Sequence, residues 1–139
     1  MILKFFLLLI YLTFCTYTDI KTKTISLFNS AGFAIAIFIL GCITDTISIK
    51  YILLQMLPGF FLILLSLIKP NSIGIGDGII FLIVGLSTSL IMCLNILLIT
   101  LLLSSIYSIL LLLRHYSKKH IIPLAPFILL SSIFVLLKS

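Results

Sequence analysis

From Gly78 to Leu113 the chain runs for 36 residues without one charged side chain. As a single helix this stretch would be about 54 Å long, far more than the roughly 30 Å hydrocarbon core of a bilayer. It must therefore be folded back on itself, as two membrane helices joined by a turn. Composition points the same way. Of the 139 residues 63% are hydrophobic and 9% charged, against about 25% charged in a soluble domain. That is too little polar surface to cover a water-facing globule, which excludes a soluble enzyme.

Crossing the bilayer takes about 20 apolar residues, with roughly 17 tolerated. The apolar runs that meet this are 2–18, 25–44, 49–68, 78–94, 96–113 and 121–137. The first begins like a signal peptide, with Lys4 ahead of an apolar stretch. It ends in Phe14-Cys15-Thr16-Tyr17-Thr18-Asp19 with no small-residue cleavage site, so a retained helix is expected. Pro58-Gly59 predicts a kink in the third helix. Within the long run Asn95 is the one strongly polar residue and marks the expected turn. A break at Ser87-Thr88-Ser89 would leave a first piece too short to span. The expectation is an all-α, polytopic membrane protein of about six transmembrane helices, one domain over 1–139.

The net charge of +6 would suggest nucleic acid in a soluble protein. Here it reports orientation, and no nucleic-acid partner is implied. Lys21, Lys23, Lys69, Arg114, Lys118 and Lys119, six of the nine basic residues, fall in the first, third and fifth loops. The positive-inside rule places those loops in the cytoplasm and both termini outside. Lys4, Lys50 and Lys138 lie at the other helix ends, where they can snorkel to the interface. Lys118-Lys119, flanked by His115 and His120, reads as an anchor for lipid head groups. Cys15, Cys42 and Cys93 form no C-x-x-C pair and read as small buried hydrophobes, and no metal or cofactor is called for.

Glu is absent and only three Asp occur. Asp45, in Thr44-Asp45-Thr46, reads as turn chemistry. The topology brings the other two, Asp19 and Asp77, to the same membrane face although they are 58 positions apart. An ionisable residue at a membrane helix end is a functional hypothesis by default. Taken singly, each has a bland explanation: Asp19 balancing Lys21 and Lys23, Asp77 capping a helix. The pair is harder to explain away in a chain otherwise purged of acids.

Asp77 sits in Gly74-Ile75-Gly76-Asp77-Gly78. Glycines so dense allow positive φ and close backbone approach, and leave amides open to a substrate backbone. Two facing carboxyls suit hydrolysis, one taking a proton from water while the other donates. Helix dipoles favour the anion at an N-terminus and disfavour it at a C-terminus. On that ground Asp77 is the expected base and Asp19 the more protonated partner. Lys21 and Lys23, directly after Asp19, either shape the first loop around it or serve orientation alone.

At this point the residues resemble a family. Asp19-Ile20-Lys21-Thr22-Lys23-Thr24-Ile25 resembles the first signature of type IV prepilin peptidases, and Gly74-Ile75-Gly76-Asp77 the second. Ile122-Pro123-Leu124-Ala125-Pro126-Phe127 resembles the stretch that opens the family's last helix. The three occur in family order and span nearly the whole chain. Ser26 and Leu27 stand where the family has Pro and Asn, Ile79 where it has a basic residue, and Ala125 where it has Gly.

The resemblance implies a membrane aspartic endopeptidase that cleaves the basic leader of prepilin-like substrates after a Gly, at the cytoplasmic face. It makes Asp19 and Asp77 the catalytic pair, with Gly74 and Gly76 shaping the site beside Gly78. The short form is similar to archaeal preflagellin peptidases and small tight-adherence pilus peptidases. It lacks the methyltransferase region of many bacterial members, so only the peptidase activity carries over. Two other readings share the residues: a small carrier or channel subunit using the Asp pair as a proton or cation site, and an inactive prepilin peptidase homologue. A presenilin-type intramembrane peptidase shares Gly-x-Gly-Asp, but the basic loop and last-helix stretch fit it less well.

Overall fold

The computed structural model describes residues 2–22, 27–44, 49–68, 74–113 and 123–138. Lys23, Ser26, Asp45, Lys69, Arg114, His115, Lys118, Lys119 and His120 lie outside the described residues. The described chain is all-helical: α1 (Ile2–Thr22), α2 (Leu27–Thr44), α3 (Ile49–Ile68), α4 (Ile75–Ser87), α5 (Leu90–Leu113) and α6 (Ala125–Lys138). Three of these, α1, α3 and α5, are long and apolar enough to cross a membrane; α2, α4 and α6 are shorter apolar helices. Only 17% of the apolar windows of α3 and α5 is buried inside the protein. The remaining apolar surface would be untenable in water, so the chain is suited to a membrane.

The turn expected at Asn95 is not there. The helix breaks at Thr88-Ser89 instead, and Asn95 is an exposed residue within α5. Local hydroxyl chemistry explains this. Ser87 Oγ donates to the Ile83 carbonyl at 2.9 Å and Thr88 Oγ1 to that of Val84 at 2.8 Å. These bonds satisfy carbonyls at the end of α4. Ser89 then opens α5, its Oγ accepting the Met92 N–H at 3.4 Å and its carbonyl the Cys93 N–H at 2.9 Å. Ser is a favoured N-cap, whereas a lone Asn inside an apolar helix has no capping role. The break leaves α4 with 13 residues, about 20 Å.

α4 lies at the centre, touching α1, α2, α3 and α5, while α1 also contacts α2 and α6, and α5 packs on α6. The α3–α4 pairing is the most intimate, and glycines allow it. A β-carbon at Gly59 would strike the Leu82 backbone, and one at Gly85 the Gln55 carbonyl. One at Gly78 would lie 2.5 Å from Ile63 Cγ1. Small residues that let backbones meet hold membrane helices together by dispersion, since burial of apolar groups gains little in lipid. α3 runs unbroken through Pro58.

Two buried hydroxyl pairs add cross-links. Tyr11 Oη and Ser30 Oγ lie 3.0 Å apart between α1 and α2, and Thr100 Oγ1 and Ser131 Oγ lie 2.6 Å apart between α5 and α6. Lys4 is buried rather than snorkelling. Its Nζ lies beside Gly41 near the C-terminal end of α2, where the helix dipole favours a cation. Lys50 and Lys138 are exposed, and Cys15 and Cys93 are buried.

Candidate active site

α1 presents Leu8, Tyr11, Leu12, Cys15 and Asp19 to the interior, all buried, and their spacings of one, three and four make one face of a helix. Asp19 is therefore not the residue at which the helix stops. α1 continues to Thr22, and the carboxyl points inward, 8% exposed. Its Oδ2 accepts the N–H of Ala125, the first residue of α6, at 3.2 Å.

Asp77 occupies the first turn of α4. It lies ahead of the apolar run from Gly78 and outside the three candidate spans. Its own N–H donates to the Gly74 carbonyl at 3.1 Å, and its carboxyl reaches back to the Gly74 backbone N–H. This is half of a capping box, with the third helical residue satisfying the N-cap donor. Gly74 has φ −72° and ψ 136°, backbone that any residue adopts, so positive φ is not what glycine supplies here. Space is: a β-carbon would stand 3.2 Å from Asp77 Oδ2.

The structure thus brings the two acids together, from α1 and α4, close enough for the charge of Asp19 to act on Asp77. Burial, and then the Asp19 charge, push the Asp77 carboxyl up from 3.8 to about 6, partly offset by the Gly74 N–H. The order of magnitude decides between two effects. A helix N-terminus favours an anion by about 0.3–1 kcal/mol. Raising a carboxyl from 3.8 to about 6 corresponds to roughly 3 kcal/mol. Desolvation and like charge therefore outweigh the dipole at Asp77. The raised carboxyl speaks against the dipole-based expectation of Asp77 as base.

The other expected site residues fall differently. Gly74 is at the pair. Gly76 lies in the first turn of α4, half-buried. Gly78 faces Ile63 of α3, so it serves helix packing beneath the site. Lys21 is exposed, its Nζ 5.7 Å from the Tyr17 ring centroid. Tyr17 is 62% exposed, which suits an interfacial aromatic. Among the described residues no group of three His, Cys, Asp or Glu is arranged to hold a metal ion.

Two neighbours escape sequence reasoning. Cys15 lies one turn before Asp19, buried and within reach of its charge; the α1 stripe is the signal that discloses it. The Ala125 N–H has no sequence signature, because every residue but proline carries that donor. No family model, curated protein or solved structure matches the chain, so the site rests on its own geometry.

Proposed function

We propose that the chain is a membrane aspartic endopeptidase of the prepilin peptidase type. It clips the basic leader from prepilin-like substrates, after a Gly, at the cytoplasmic face. In this reading the six helices are six crossings and the acid pair lies at their cytoplasmic ends. The observation that carries the proposal is the meeting of Asp19 and Asp77, two of three acids in the chain, from helices 58 positions apart.

The chemistry follows from the pair. Asp19 takes a proton from a water molecule as the water oxygen attacks the scissile carbonyl. Asp77, protonated to about pH 6, donates first to the carbonyl oxygen as the tetrahedral intermediate forms. The proton gathered by Asp19 then goes to the departing amine, and proton exchange resets the pair. Gly74 keeps the approach to Asp77 open, as its missing side chain leaves the Oδ2 side uncovered.

The test is cleavage, in membranes, of a substrate with a basic leader, a Gly and an apolar helix. Asp19→Asn and Asp77→Asn should each lower the rate by about 10³-fold or more, and the double variant hardly further, since the two act as a unit. Wild-type cleavage should decline as pH rises through about 6, where Asp77 gives up its proton. Full activity in either variant overturns the proposal. Ion flux in proteoliposomes that vanishes with Asp77→Asn, without any cleavage, would replace it with a carrier.

A further inference from the structure

α6 begins without a side-chain cap of its own. The residue before it is Leu124, whose side chain offers no acceptor, and its second residue is Pro126, which has no N–H. The N–H groups of Phe127 and Ile128 both turn back to the Leu124 carbonyl, at 3.0 and 3.2 Å. The first-turn donor that remains is the N–H of Ala125. Ala125 is fully buried, where an unmet donor destabilises. It is met by Asp19 Oδ2, 106 positions away in the chain.

We propose that Asp19 also caps α6 from α1, and that the Ala125 N–H in turn is a positioning group for the carboxyl. Holding Oδ2 fixes the plane of the carboxyl and leaves Oδ1 for the attacking water. The positioning half rests on the peptidase reading, and the cap rests on the hydrogen bond alone. The arrangement also accounts for Pro126: it removes the adjacent donor, so the α6 turn offers Asp19 one N–H and no competitor. Among the described residues the charged or titratable groups nearest the contact, in the chain or by electrostatic influence, are Lys21, exposed on α1, Asp77 of α4 and Cys15 of α1. α2 carries no charged residue, and Lys138 of α6 stands at the opposite end of its helix.

A melting cycle in detergent tests the cap, using the exposure of the buried Cys15 and Cys93 to a thiol-reactive dye. It is run in the Asp77→Asn background, so that no like-charge repulsion is relieved. Asp19→Asn keeps an acceptor oxygen and Asp19→Ala does not, so the alanine variant should melt about 2–5 °C below the asparagine one. Ala125→Pro removes the donor at a position where proline suits a helix start. Combined with Asp19→Ala it should melt no lower than the weaker single variant. Equal melting of Asp19→Asn and Asp19→Ala, or additive shifts in the pair, overturns the cap.

With Asp77 restored, Ala125→Pro should lower kcat for leader cleavage by about tenfold or more at unchanged KM. An undiminished kcat overturns the positioning half. Coupled melting in a protein whose wild type cleaves no leader would remove the peptidase reading and keep the cap.

Discussion

The two acids are held by opposite means. Asp77 is placed by a steric seam: α4 lies so close to α3 that Gly59, Gly78 and Gly85 have no room for a methyl group. Asp19 is placed by a polar contact, one carboxyl oxygen on one backbone N–H of α6. A steric seam tolerates no added volume but is indifferent to protonation. A hydrogen-bonded contact tolerates volume and depends on the donor and acceptor being present. The pair therefore has a rigid half and an electrostatically adjustable half.

The contrast can be broken most forcefully at the seam. Gly59→Ala and Gly85→Ala should each destabilise the detergent-solubilised protein by about 1–3 kcal/mol, or prevent folding, because the obstruction is backbone. Gly32→Ala is the matching control. Nothing lies within 4 Å of a β-carbon there, so relief of helix-interior glycine should leave stability unchanged or raise it by about 0.5–1 kcal/mol. Equal losses at Gly32 and Gly85 would show that the close approach is not what these glycines provide.

A smaller, pH-dependent effect is expected at Asp77. Its carboxyl is raised in the folded protein, from 3.8 to about 6, so the folded state binds the proton more tightly than the unfolded chain. Its favourable contribution is complete below pH 3.8 and lost as pH rises through about 6. At pH 7 the buried charge opposes folding. Asp77→Asn should then be more stable than wild type by roughly 1–3 kcal/mol at pH 7, the gain fading toward pH 4. Denaturation at both pH values checks it; a gain independent of pH would remove the electrostatic cause.

The least effect belongs to the hydroxyl clamp between α5 and α6. Thr100→Val removes its contact with Ser131, and about 0.6 kcal/mol is the expected loss. Ser131 keeps its bond to the Ile128 carbonyl. A loss well above 2 kcal/mol would mean that the polar contacts rival the glycine seam.

Much of this is legible in the residues. The number of described helices, and α3 to the residue at both ends, match the apolar runs, although only α1, α3 and α5 among them are long and apolar enough to cross a membrane. The convergence of Asp19 and Asp77 follows from counting helices and charges. The α4–α5 break is misplaced when side-chain polarity is weighed over capping: Asn95 is the more polar residue, yet Ser87, Thr88 and Ser89 are the ones that bond to helix termini. The role of the glycines is half legible. Their density announces a close approach, while the partner of Gly78 proves to be α3 beneath the site.

What the sequence determined by itself is the apolar character and the chemistry available: runs suited to lipid, and a chain emptied of acids except for three Asp. What only the tertiary structure decided is the raised Asp77 carboxyl and which backbone amide holds Asp19. Hydropathy and residue type are local properties, readable along the chain. The burial of Asp77, the charge of Asp19 beside it and the Ala125 N–H arise from segments 58 and 106 positions apart, and their balance exists only once α1, α4 and α6 are packed.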